Sequence, residues 1–195
     1  MKLMSLFRRS AKDEAVEAAH RIYVAAVTQA REPAFYAELD VPDTLEGRFE
    51  AITAHIHLVL RRLGGGTEAD QALGQRVFDV MFTDMDQSMR ELGIGDMAIP
   101  KRVKYLAQSF YGRAAAYDEG YAHGDDVLRE ALLRNLYATA EPAPAAVAAV
   151  SAYLRDAQGR LDRQPMADIV AGRLDFPPVP GAVPGPVPGP VPGRP

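Results

Sequence analysis

Between Asp43 and Gly66 the chain carries Leu45, Phe49, Ile52, Ile56, Val59, Leu60 and Leu63 at steps of three and four residues. That spacing puts all of them on one stripe of an α-helix and does not fit the two-residue alternation of a half-buried strand. Asp43 or Thr44 is a suitable N-cap, and Gly64 to Gly66 supply a stop. The same helical period continues almost to the end, with no convincing alternating run. The expected fold is all-α, a single bundle of six to seven helices.

Ser10 and Asp13 give a start signal for a first helix to about Arg31, whose apolar face is Val16, Ala19, Tyr23, Ala26 and Val27. Pro33 ends it, and the segment from Pro33 to Asp43 reads as a connection anchored by Phe35 and Tyr36. Thr67 and Asp70 open a helix to about Leu92, so broadly apolar that neighbours are expected on more than one side. Gly93 and Gly95 break the chain. Ile99 is expected to be extended ahead of a first-turn Pro100. Val103, Leu106, Phe110, Ala114, Tyr117 and Tyr121 share one face of the next helix. A further helix opens at Gly124 and Asp125, another after Pro142 and Pro144, and a short piece near Met166 to Ala171 finishes the body.

Three regions result: a basic amphipathic segment over 1–12, a helical domain over 13–176, and a Pro/Gly-rich tail over 177–195. Proline lacks an amide donor and glycine resists ordering, so the tail is expected to stay disordered, as an extended spacer of at most roughly 60 Å. The first region carries Leu3, Leu6, Phe7, Arg8 and Arg9, a composition suited to weak contact with a membrane surface or a partner.

Composition removes several classes of function. There is no cysteine, so disulfides, thiolate chemistry and Cys-based metal sites are excluded. A formal charge of −4 argues against a nucleic-acid partner held by bulk electrostatics. His55 and His57, like Asp84 and Asp86, lie two apart on a helix and so point about 200° away from each other, which prevents joint chelation. His20 and His123 are isolated, and no phosphate-binding or nucleophile motif occurs. Neither a cofactor nor a metal is expected, nor an enzyme activity.

The stretch from Asp84 to Lys104, DMDQSMRELGIGDMAIPKRVK, is unusual in the sign of its charges. Asp84, Asp86 and Glu91 fall toward the negative pole of one helix, with Asp96 in the turn. Lys101, Arg102 and Lys104 occupy the positive pole of the next. Each misplacement near a terminus is unfavourable by about 0.3–1 kcal/mol. Either the two groups offset one another across the hairpin, or they remain open to dock a partner of complementary charge. Further along, Gly112 interrupts a helix beside Phe110, Tyr111 and Arg113, with Tyr117 one turn on. This is either close helix packing over a missing side chain or an aromatic-plus-arginine docking surface.

The segments DTLEGRFEAITAHIHLVLRRL and FDVMFTDMDQSMRELGIGDMAIPKRVKYLAQSFYGRAAAY together resemble the ubiquinol–cytochrome c chaperone family. The likeness rests on GRFE, F-x-D-M-D, G-x-G-D, PK and FYGR elements in order, spans about Phe35 to Tyr121, and continues more weakly to Phe176. It implies a non-enzymatic assembly factor of the cytochrome bc1 complex, with cytochrome b or another bc1 subunit as partner. The short, Ala- and Arg-rich chain is similar to a bacterial member, in the cytoplasm or peripheral on the inner membrane, the alternative being a mitochondrial matrix protein. The partner-binding residues expected on this basis are Asp84, Asp86, Asp96, Lys101, Lys104, Phe110, Tyr111, Arg113 and Tyr117. A helical interaction or signalling module without a membrane-protein client is the competing expectation.

Overall fold

Eight helices and no strand make up the described residues of the computed structural model, which are 2–91 and 93–181, the side chains of 2–12 apart. They are α1 (Lys2–Ala30), α2 (Pro33–Ala37), α3 (Leu45–Gly64), α4 (Glu68–Glu91), α5 (Ile99–His123), α6 (Asp125–Arg134), α7 (Pro144–Arg163) and α8 (Met166–Val170). Six are long, whereas α2 and α8 have five residues each. The protein is all-α, as the periodicity indicates.

The end signals act as their chemistry requires. Thr44 Oγ1 accepts the Gly47 N–H at 3.1 Å and caps α3. Thr67 and Asp70 form a reciprocal box at the start of α4, with backbone-to-side-chain bonds of 2.8 and 3.3 Å. Gly93, at φ 76°, ends α4 in the left-handed conformation, and the next amide, Ile94, donates back to the Met89 carbonyl at 3.1 Å.

The most enclosed element is α3. From Ala51 to Leu60 it carries no charge, and its neighbours are α1, α4, α5 and α7. A helix apolar around its whole circumference belongs in the centre. Its successor α4 does meet three neighbours, α1, α3 and α5, but Phe78, Val80 and Met85 remain only half-buried. His55 and His57 diverge as their spacing requires. His55 Nδ1 donates to the Ala51 carbonyl at 2.7 Å, which leaves Nε2 to accept the Tyr153 hydroxyl at 3.0 Å. Burial pushes this imidazole down to about 4, so it is a neutral core residue. His57 turns instead to Asp118 of α5, at 3.1 Å, beneath the stacked ring of Tyr121.

Four boundaries differ from expectation. α1 begins at Lys2 rather than near Ser10, so the backbone of 2–12 continues a helix. Pro33–Ala37 is one helical turn, nucleated by a proline at its start, rather than an irregular connection. Ile99 is already helical, with Pro100 inside the first turn. The tail does not leave the body at Pro177: Val179 is 4% exposed in the core, and Gln29 donates to the Pro177 carbonyl at 3.4 Å. Valine between prolines can fill an apolar niche without needing the amide that proline lacks. The expected spacer from 182 onward lies outside the described residues.

Tyr117 is wholly enclosed, at 0% exposure, and its hydroxyl finds no hydrogen-bond partner. A buried hydroxyl left unpaired is unfavourable. Y117F is therefore expected to be neutral or to stabilise by up to about 1 kcal/mol in urea unfolding, unlike an ordinary buried Tyr→Phe change.

Candidate functional site

The GRFE, F-x-D-M-D and FYGR segments, distant in sequence, converge on one groove. It lies between the first turns of α3, the second half of α4 and the start of α5, with a volume of about 550 Å³. Phe49, Ile52, Met85, Met89, Ile94 and Leu106 give it an apolar lining. Methionine is unbranched and polarizable, which suits a surface that must fit side chains of varied shape.

Glu50 and Arg113 line the same groove and hold its walls together. Arg113 Nε lies 2.7 and 2.6 Å from the two Glu50 carboxylate oxygens, and its Nη2 makes a further ion pair. The guanidinium also lies over the Phe49 ring, 5.7 Å from its centroid. Glu50 is only 6% exposed, and burial raises its carboxyl above the ordinary range even though Arg113 pulls it back. A buried pair of this kind fixes the spacing of α3 and α5. At the rim, Asp84 accepts the Tyr23 hydroxyl at 2.6 Å, and burial together with that carboxylate pushes the Tyr23 phenol up.

Local pairing explains the acids of the α4–α5 turn. Arg90, in the last turn of α4, donates to Asp86 at 2.6 Å and to Asp96 at 2.7 Å, and Gln87 donates to Glu91 at 2.9 Å. The hairpin does not bring acids and bases together. Lys101, Arg102 and Lys104 form no ion pair among the described residues. The acids are thus satisfied by Arg90, Gln87 and, for Asp84, Tyr23 of α1, while the cations of α5 stay open.

Of the expected partner-binding residues, Asp84 and Arg113 line the groove. Asp86 and Asp96 sit beside it, engaged by Arg90, and Lys101 and Lys104 lie on the outer side of α5. Tyr111 is 60% exposed and packs on Phe78 at 5.4 Å between centroids. Phe110 and Tyr117 require correction: both are core residues, Phe110 edge-on to Phe78 at 5.3 Å and Tyr117 against the His57 ring at 6.0 Å. Neither can touch a partner. The close-packing explanation of Gly112 also fails, because a Cβ built there meets nothing within 4 Å. Sequence reasoning missed Arg31, Arg102 and Tyr105, which line the groove; Arg31 and Arg102 make no ion pair among the described residues. Three open cations beside one proline were the available signal for Arg102, whereas Arg31 comes from a helix end with no motif. Among the described residues no group of three or more His, Asp or Glu side chains is arranged to hold a metal ion.

The chain is similar to known proteins over most of its length. The profile of the ubiquinol-cytochrome C chaperone family matches residues 37–176, which takes in every element of the groove except the Arg31 rim. The chain is 28% identical over 119 residues to ubiquinol-cytochrome-c reductase complex assembly factor 1 of Xenopus laevis, covering 61% of this chain and 60% of that one. It is 24% identical over 153 residues to the Mus musculus protein of the same name, covering 78% and 52%. It thus spans little more than half the length of these relatives. The crystal structure of the Cbp3 homolog from Brucella abortus superposes with a TM-score of 0.79 at 39% identity, over 91% of this chain and 97% of that one. With most of its length matched by the family profile and its fold shared with a bacterial homolog, the chain belongs to the ubiquinol-cytochrome C chaperone family.

Proposed function

We propose that the protein is a non-enzymatic assembly factor of the ubiquinol–cytochrome c reductase complex that holds an apolar segment of a bc1 subunit, cytochrome b in the first place, in the α3–α4–α5 groove. The observation that carries this reading is the pairing of a methionine-rich apolar lining with two open guanidinium groups, Arg31 and Arg102, at the rim. An unassembled membrane subunit needs its apolar surface covered reversibly. A lined groove supplies the cover, and open charges at the edge steer capture more than they add to final affinity. The family relationship supports a bc1 client, and the 39%-identical bacterial neighbour supports a cytoplasmic location at the bacterial inner membrane. No helix among the described residues is long and apolar enough to cross a membrane, so contact with one would be peripheral. The N-terminal Leu3, Leu6, Phe7, Arg8 and Arg9 remain a proposed contact of that kind, with side chains outside the described residues.

Affinity purification of the tagged chain from native membranes, with bc1 subunits scored by mass spectrometry, tests the reading. R31E/R102E is expected to lower capture of cytochrome b by about tenfold. Both side chains are exposed and have no ion pair among the described residues, so the melting temperature should not move. Undiminished capture by this variant, or the absence of any bc1 subunit from the wild-type eluate, sinks the proposal.

A further inference from the structure

The turn between α4 and α5 and the outer face of α5 form a second surface that adjoins the groove and shares Ile94, Arg102 and Tyr105 with it. Met97 is 98% exposed and touches almost nothing of its own chain. Lys101, Lys104, Gln108 and Tyr111 follow it at steps of three and four residues, with Tyr105 next to Lys104, and all are exposed. Tyr105 is 67% exposed, and Arg102 flanks the lysines on the groove side.

The chemistry of this face is unlike the rest of the molecule. No Asp or Glu occurs from Met97 to Tyr117, in a chain with 26 acidic residues. Beyond residue 12, Lys101 and Lys104 are the only lysines, every other cation being arginine. Most of the described arginines are drawn into ion pairs, Arg90 with Asp86 and Asp96 being the nearest; neither lysine is. Cations at the positive pole of α5 are unfavourable for the isolated chain, and an external anion offsets that cost.

We propose that this face seats the protein on an anionic phospholipid surface. A fully projecting methionine, two tyrosines with apolar bodies and polar tips, and lysines on flexible stems are the side chains that suit the boundary between headgroups and acyl chains. Charge complementarity is with a phosphate-rich plane rather than with a pocketed anion, because the cations are spread along a convex helix face. An acidic protein or an RNA would use the cations but leaves Met97 without a role. Asp96, the one acid at the tip, is turned toward Arg90. Ile94, Arg102 and Tyr105 belong to both this turn and the groove, so such seating sets the groove mouth at the membrane surface.

Flotation of the full chain with vesicles tests the assignment, using phosphatidylcholine alone and a mixture in which about a third is phosphatidylglycerol. Binding is expected to the anionic vesicles only, and to weaken with salt. K101Q/K104Q should reduce it about thirtyfold, at roughly fivefold per cation near an anionic leaflet, and M97S severalfold. All three positions are exposed, and neither lysine has an ion pair among the described residues, so circular dichroism and the melting temperature serve as folding controls. R8Q/R9Q should leave most of the binding in place. The assignment is overturned if the wild type ignores anionic vesicles at low salt, if neutral vesicles bind equally, or if K101Q/K104Q binds like the wild type. It is overturned too if R8Q/R9Q alone removes binding, since the N-terminal segment is then the anchor. No client is present in the assay, so its failure leaves the groove proposal standing. Conversely, K101Q/K104Q in detergent should still capture cytochrome b.

Discussion

R113A is expected to cost about 3 kcal/mol at neutral pH, because it strands the Glu50 carboxylate in a nearly closed site. The pair satisfies several oxygen lone pairs at 2.6–2.7 Å and the guanidinium covers Phe49. Removal therefore forfeits charge balance and packing together. The pH dependence follows from the sign of the shift. Burial already raises the Glu50 carboxyl, and Arg113 works against that rise. Without Arg113 the folded-state value climbs further. The folded state then holds its proton more tightly than the unfolded chain, so the penalty is absent below the ordinary carboxylate range and grows as pH rises through it. Chemical denaturation should show the variant's deficit shrinking on acidification toward about pH 4. E50Q, which keeps a hydrogen-bonding partner for Arg113, should cost much less. E50M/R113M should recover most of the loss. A pH-independent deficit in R113A would mean that packing alone is responsible.

A comparable effect is expected from G47A. A Cβ at this position in the first turn of α3 lies 2.0 Å from the Pro42 carbonyl oxygen and 2.9 Å from its carbon. Both obstacles are backbone, so no rotamer change relieves the clash. The Pro42–Thr44 segment must move, taking with it the Thr44 cap and the Asp43–Arg48 ion pair. A loss of about 3 kcal/mol is expected. G112A is the internal control. It sits in mid-helix, on an exposed face with open space around it, and alanine there should stabilise by roughly 1 kcal/mol. Both glycines are helical, one hemmed in by backbone in a first turn and one in open space in mid-helix, so thermal melts of both variants separate steric need from helix propensity. Equal behaviour would refute the account.

Helices and their caps were legible because they rest on local chemistry: the period of the apolar residues, Thr44, the Thr67–Asp70 box, Gly93. The centre of the bundle was legible in principle. The uncharged run from Ala51 to Leu60 marks α3, yet the broader methionine- and phenylalanine-rich face of α4 drew attention first. The facing of tyrosines was only half-readable. Periodicity put Phe110 and Tyr117 on the apolar side of α5, and proximity to Gly112 and Arg113 argued for exposure; burial won for both, while their neighbour Tyr111 faces out. The groove itself depends on side chains far apart in sequence meeting across helices, as Glu50 meets Arg113 at a separation of 63 residues and Tyr23 meets Asp84 at 61. Tertiary pairing of that kind leaves no trace in local spacing. Likewise, the cations of α5 could be seen to be misplaced, but whether Arg90 or the lysines would satisfy the acids is a matter of reach in three dimensions.

The Glu50–Arg113 clasp sits midway along α5, and below it Tyr117, Asp118 and Tyr121 lock onto His57 and Arg61 of α3. Ahead of it, Val103, Leu106 and Ala107 are merely half-covered. One rod therefore has a half bolted by polar side chains and a half held mainly by two buried apolar anchors, Phe110 and Ile99, so free energies of local opening should be lower ahead of Arg113 than behind it. For the client proposed above, the α5 wall ahead of Arg113 is thus the side of the cleft expected to yield to a bulky segment, with the rest of the bundle undisturbed.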